Sequence, residues 1–146
     1  MVNQEILDDL QLVRDIIDTS DVSVVAAKNG QVLSKKKGEG IKPFLEIIEE
    51  LGDNIHGSII GDRILGKASS LLCRYSKVRA VYSPQATKTA IALLIMDGIP
   101  SQIDQLIPFI KNRDGSGLCI FEKMLENISS PEEAYKILRE KVMKKN

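Results

Sequence analysis

The chain has 146 residues, 43% hydrophobic and 27% charged, with twenty basic residues against twenty acidic ones. That length buries a core without disulfides or metals, and the charge balance excludes an overall field toward nucleic acid or an anionic membrane. The opening MVNQEILDDL lacks the apolar core of a signal peptide, no apolar run approaches the ~20 residues of a membrane span, and Cys73 and Cys119 are too few for a secreted disulfide framework, so a cytoplasmic protein with no membrane partner is expected.

Gln4 to Asp18 spaces Ile6, Leu7, Leu10, Val13 and Ile17 three and four apart, which predicts an amphipathic helix. Asp21 to Ala27 is rich in β-formers and runs into Asn29-Gly30, a hairpin dipeptide because both positions accept positive φ. Gln31 to Lys35 is then the returning strand, and Lys35 to Gly40 a solvated charged loop. Pro43 suits the first position of a helix whose buried stripe is Phe44, Leu45, Ile47, Ile48 and Leu51, with Gly52 as its stop. His56, the only histidine, follows in a polar loop with no partner at metal-ligand spacing, which favours a surface role.

Asp62 reads as the N-cap of the next helix. Ile64, Leu65, Ala68, Leu71, Leu72 and Tyr75 fall on one face of it; the small residues Gly66, Ser69, Ser70 and Cys73 fall on the other, so the helix is expected to pack on both sides. Lys67 lies at the flank, where an amine reaches a cleft while its stem stays packed. Arg79 to Tyr82 is a short strand, and Ser83-Pro84 is expected to cap and open a helix through TAIALLIM to Gly98. Ile99 to Ile103 would complete a β-α-β unit, hence a parallel pair. Leu106 to Ile110, broken by Pro108, is expected to be irregular. Helices over Leu118 to Asn127 and Pro131 to Val142 close the chain, the last with Ser130 as N-cap and Glu133 three along. With no repeat or linker, the expectation is a single α/β domain over 1–146: a mixed sheet covered by helices on both faces.

Two stretches carry the candidate chemistry. In Asn112-Arg113-Asp114-Gly115-Ser116-Gly117-Leu118-Cys119, the glycines let backbone amides converge just before a helix start, which makes an anion site. With Ser116 as N-cap, Cys119 would be the third helical residue, its thiolate favoured by the helix dipole and by Arg113. The second stretch, GDRILGKA, has the glycine and lysine spacing of a phosphate-binding P-loop, but Ala68 stands where a hydroxyl would hold magnesium. A nucleotide triphosphatase is therefore not expected. Lys67 remains a candidate anion binder or acid/base. Neither an H-x-E with P-C-x-x-C zinc deaminase pattern nor a G-x-S-x-G nucleophile elbow is present, so no metal and no cofactor are expected.

GIKPFLEIIEE, GDRILGKASSLL and NRDGSGLCIFEK, in this order and spacing, resemble a family of uncharacterised prokaryotic proteins classed as a domain of unknown function with a cytidine deaminase-like fold. The resemblance implies a three-layer α-β-α sandwich without the deaminase zinc motif. It places a cleft where two helix N-termini meet, here the helices expected at Asp62 and Pro84. Its signature positions are Asp62, Gly66, Lys67, Arg113, Gly117 and Cys119; one departure is Ile120, where the family often has proline. Catalytic candidates are thus Cys119, Lys67 and Asp62, and ligand-binding candidates Arg113, Asp114, Gly115, Ser116, Gly117 and Gly66. The expected function is binding of a nucleotide or other small anion near Lys67 and residues 113–119. The alternative is a metal-independent enzyme with Cys119 as thiolate nucleophile and Lys67 as acid/base or anion binder. Nucleic acid is not an expected partner; a homo-oligomer is compatible with the sequence.

Overall fold

The computed structural model describes residues 3–111 and 119–143. Helix α1 (Gln4–Thr19) starts where the Asn3 side chain accepts the Ile6 amide at 3.0 Å, an N-cap in the ordinary sense. It buries Ile6, Leu10, Val13 and Ile17, while Leu7, expected in that stripe, is 42% exposed. Strands β1 (Val24–Lys28) and β2 (Gln31–Lys36) form the expected hairpin. Asn29 and Gly30 turn it with φ of 54° and 78°, both left-handed as such a turn needs. The strand continues through Lys35 and Lys36 rather than yielding to a loop at Lys35, because Val24 pairs with Lys36 and Val25 with Lys35.

Helix α2 (Lys42–Leu51) carries Pro43 in its first turn and ends at Gly52, followed by a 3-10 turn over Gly52–Ile55. Then come β3 (Ile59–Asp62), β4 (Ile64–Leu65), α3 (Lys67–Tyr75), β5 (Ala80–Thr87), α4 (Lys88–Met96), β6 (Ser101–Ile107), α5 (Ile120–Met124) and α6 (Pro131–Val142). The Ser130 hydroxyl accepts the Glu133 amide at the start of α6, as expected.

The sheet runs β2-β1-β3-β5, with β6 on the far edge of β5. The β1 pairs are antiparallel, and those among β3, β5 and β6 parallel. β4 continues the line of β3: Ile59 faces Ala80 and Gly61 faces Tyr82, then Ile64 faces Gln85 and Leu65 faces Ala86. The register survives a break at Asp62-Arg63, opposite Ser83-Pro84. Proline has no N–H to give a ladder, and a broken neighbour asks for none. Pro84 therefore sits inside a central strand instead of opening a helix; α4 begins four residues later than expected, at Lys88, with Thr87 as its N-cap, whose side chain accepts the Ala90 amide at 3.1 Å.

Helices cover both faces. On one, α1 packs Leu10, Val13 and Ile17 against Val25, Ala27, Ile59 and Tyr82. On the other, α2, α3, α4 and α6 enclose Val24, Ala26, Ile60 and Val81. Alternate residues of β1 thus feed two cores, as a strand buried on both faces must. This is the expected three-layer α/β sandwich with a mixed sheet. Leu106 belongs to β6 rather than to an irregular segment. Among the described residues no helix is long and apolar enough to cross a membrane.

Candidate functional site

The break between β3 and β4 builds the site. Where the strand line is interrupted, the Arg63 amide leaves the β5 ladder and donates to the Ser23 carbonyl at 3.0 Å. The Arg63 guanidinium closes the same corner, donating to the carbonyls of Ile17 and Ser20 at 2.8 Å and of Val22 at 2.6 Å. Beside it a cleft of about 810 Å³ opens, walled by Ile41, Ile64, Ala68 and Phe121 and also lined by Asp62, Ser69, Lys111 and Cys119. That volume suits a molecule of nucleotide size.

Asp62 is not the expected N-cap. It ends β3, paired with Val24 of β1, and is 5% exposed. Burial pushes its carboxyl up to about 7, partly offset by hydrogen bonds from Ser69 and the Ile64 and Arg63 amides and by the Arg63 charge. Four buried side-chain polar atoms have no hydrogen-bond partner among the described residues, and only Asp62 Oδ2 belongs to a residue lining the cleft.

Helix α3 starts at Lys67, five residues after Asp62, with Gly66 as N-cap and no side chain of its own to fill that role. The cap comes from α5: Glu122 accepts the Lys67 amide at 2.8 Å and the Ala68 amide at 2.9 Å, a carboxylate on the positive end of a helix. Gly66 is what admits it. A Cβ there would run into Ile110 Cδ1 and the Glu122 carboxylate. The Lys67 ammonium turns to the Glu126 carbonyl at 3.1 Å and is not among the residues lining the cleft.

Cys119 is half-buried and lines the cleft. It is the N-cap of α5 rather than the third helical residue, and α5 has five residues, Ile120–Met124, against the ten expected. Arg113, Asp114, Gly115, Ser116 and Gly117, the expected anion cradle, lie outside the described residues. Cys73 is fully buried in α3, and burial together with the Asp62 charge pushes its thiol up. His56 lies at the surface, 4.0 Å from Asp53, and donates nothing to the cleft.

The structure therefore brings Asp62 and Cys119 to one cleft, sets Gly66 against Ile110 and Glu122 rather than in the cleft lining, and directs the Lys67 amine elsewhere. Sequence reasoning missed Arg63, Glu122 and Phe121. Arg63 had a readable signal, since an arginine between Asp62 and Ile64 in a strand line has no ordinary apolar role. Glu122 had none, because its partner amides lie 54 and 55 residues away in sequence.

The family described as TM1506, a domain of unknown function (DUF1893), matches residues 12–142. A crystal structure of a DUF1893 family protein (TM1506) from Thermotoga maritima is similar to this chain with a TM-score of 0.84 and 28% identity, covering 97% of this chain and 92% of that one. RibD from Acinetobacter baumannii, form 2, is similar with a TM-score of 0.51 and 13% identity, over 67% of this chain and 35% of that one. The RibD likeness concerns the fold alone, and it agrees with a deaminase-like sandwich. No curated protein matches.

Proposed function

This chain belongs to the DUF1893 family of unknown function, and we propose that its role is to bind a small molecule of nucleotide size in the Asp62 cleft. One observation carries the reading: a carboxyl only 5% exposed, pushed up to about 7, lines a largely apolar cleft of about 810 Å³. Folding does not need an acid there. A group whose ionisation is perturbed by burial, set in a concave site, is the ordinary mark of a functional position. Lys111 among the walls supplies a cation for an anionic end of the ligand, so a nucleotide or a similar small anion remains the expected class.

The test is a thermal-shift screen of the purified protein against nucleotides, nucleosides, nucleobases and phosphorylated metabolites, with hits followed by calorimetry. A saturable rise in Tm that is lost in Phe121→Ala supports the cleft. A screen in which nothing shifts the protein, or hits that ignore Phe121→Ala, sinks it. Because Cys119 lines the same cleft, a second reading makes its thiolate a nucleophile on the bound molecule. Both readings keep the shift in Cys119→Ala, and turnover separates them: the binding reading predicts none by either protein, the nucleophile reading predicts turnover by wild type that is lost in the variant.

A further inference from the structure

The outer strands of the sheet, β2 and β6, are guarded differently. β2 carries Lys35 and Lys36, and its pairing with β1 slips between Ala26 and Ala27; lysines and bulges are ordinary means of keeping an edge strand from pairing further. β6, bonded only to β5, has neither. It keeps one register from Val81 opposite Ser101 to Thr87 opposite Ile107, and holds no lysine and no proline. The Val81 amide donates to the Pro100 carbonyl at 3.1 Å. Backbone groups along a parallel strand point alternately toward and away from the neighbour. Ser101, Ile103, Gln105 and Ile107 therefore turn their amides and carbonyls outward, with no backbone partner there among the described residues.

Helix α4 over this edge reads KTAIALLIM, apolar nearly all round as in a helix buried on every side. Yet Lys88, Thr89, Ala92, Ile95 and Met96 form an open outer face, with Ile95 67% and Met96 68% exposed. The charges at its ends oppose its own dipole, Lys88 at the positive end and Asp97 at the negative one. Lys88 has no carboxylate partner among the described residues; Asp97, held by Arg74 at 2.9 Å, keeps 43% of its side chain exposed. From edge and helix together we infer that the chain forms a two-fold dimer with a second copy of itself, β6 pairing antiparallel with its counterpart and α4 packing beside α4. An axis beside Ala92 brings Lys88 of one copy to Asp97 of the other and Thr89 to Met96, so each charge gains an opposite and the apolar end is covered. Helix α4 packs on β5 and β6 alike. With strands about 4.8 Å apart, pairing at β6 sets the two copies of α4 about 10 Å apart, the spacing of packed helices. Charges that answer each other across one axis make the patch self-complementary, as a two-fold interface requires.

Sedimentation velocity and light scattering on the whole chain, across a dilution series, test the dimer. Wild type is expected at twice the 16.2 kDa of one chain. Ala92→Glu sets two carboxylates beside the axis and should raise the dimer Kd about a hundredfold or more. Gln105→Pro removes an outward amide that β5 does not use, and should raise it about tenfold or more. Lys88→Glu should weaken the dimer about tenfold, and less so at high salt. All three positions are exposed, and circular dichroism checks that each variant folds; the wild-type mass is a test on its own. A wild type that is monomeric at every concentration, or a dimer that neither Ala92→Glu nor Gln105→Pro weakens, overturns the inference. A dimer lost in Ala92→Glu but untouched by Gln105→Pro overturns the continuous sheet.

Discussion

Asp62 holds a carboxyl where water barely reaches, so the folded chain binds its proton more tightly than the unfolded chain does. The folded value is about 7 against an ordinary 3.8. Between those values the folded state carries more protons, and stability falls as pH rises from about 4 to about 7, then levels off. Asp62→Asn removes that slope. Urea unfolding across pH 4–8 should show the variant gaining on wild type by up to about 4 kcal/mol above pH 7, the gain vanishing near pH 4. A difference independent of pH would mean that burial does not set the ionisation of Asp62. The carboxyls held low by partners, such as Asp104 beside Tyr82 and Arg14, act below this window and cancel in the comparison. The two thiols give a second residue-scale prediction. Cys119 is half-buried on the cleft, whereas Cys73 is fully buried and its thiol pushed up. Iodoacetamide at pH 7.5, read by peptide mass spectrometry, should label Cys119 at least about a hundredfold faster than Cys73. Equal rates would show that α3 opens readily.

At the scale of elements, the start of α3 is the joint on which the cleft depends. Its first amides are held by a carboxylate from α5, and Gly66 leaves the room for it. Glu122→Ala should cost about 1–2 kcal/mol through the lost cap. Gly66→Ala should cost about 1–3 kcal/mol by forcing Ile110 and Glu122 aside. Since both act on one contact, the double variant should fall short of the sum of the two in a denaturation cycle; full additivity would show the two residues to be independent. This joint was half legible in the sequence. Elements with local signals came through: the apolar spacing of α1, Asn29-Gly30 in the hairpin, Ser130-Pro131 before α6. Asp62 and Ser83-Pro84 misled for a shared reason. Each carries the residue types of a helix start, yet the two lie opposite one another at a break between parallel strands. Strand pairing is non-local, and nothing in either stretch alone announces it. The cap supplied by Glu122 is non-local in the same way.

At the scale of the molecule, the sheet separates two cores, and among the described residues α1 alone covers one face. The layer order was legible from the order of strands and helices along the chain, and β1 is apolar from Val24 to Ala27, as a sheet buried on both sides requires. How the α1 layer is tied to the cleft on the other side was not legible, because the tie is one side chain. Arg63 reaches across the broken strand line to the carbonyls of Ile17, Ser20 and Val22 while lining the cleft itself. Those carbonyls include the end of α1, which has no basic residue in its last turn, so the guanidinium also answers the negative end of that helix. Arg63→Ala leaves the three carbonyls without this cation and should cost about 2–4 kcal/mol. Arg63→Lys keeps the charge but not the planar fork, and should recover less than half of that loss. The change should also be spatially ordered. Hydrogen exchange should rise first in the last turn of α1 and at Val22, Ser23 and Arg63, while Ile60 and Val81 stay protected. Binding of any ligand found in the screen should weaken in step, because the wall formed by Arg63 and Ser23 is part of the cleft. Uniform loss of protection across both cores would make Arg63 a general stabiliser; loss confined to the α1 end and the cleft wall makes it the strut that couples the outer helix to the site.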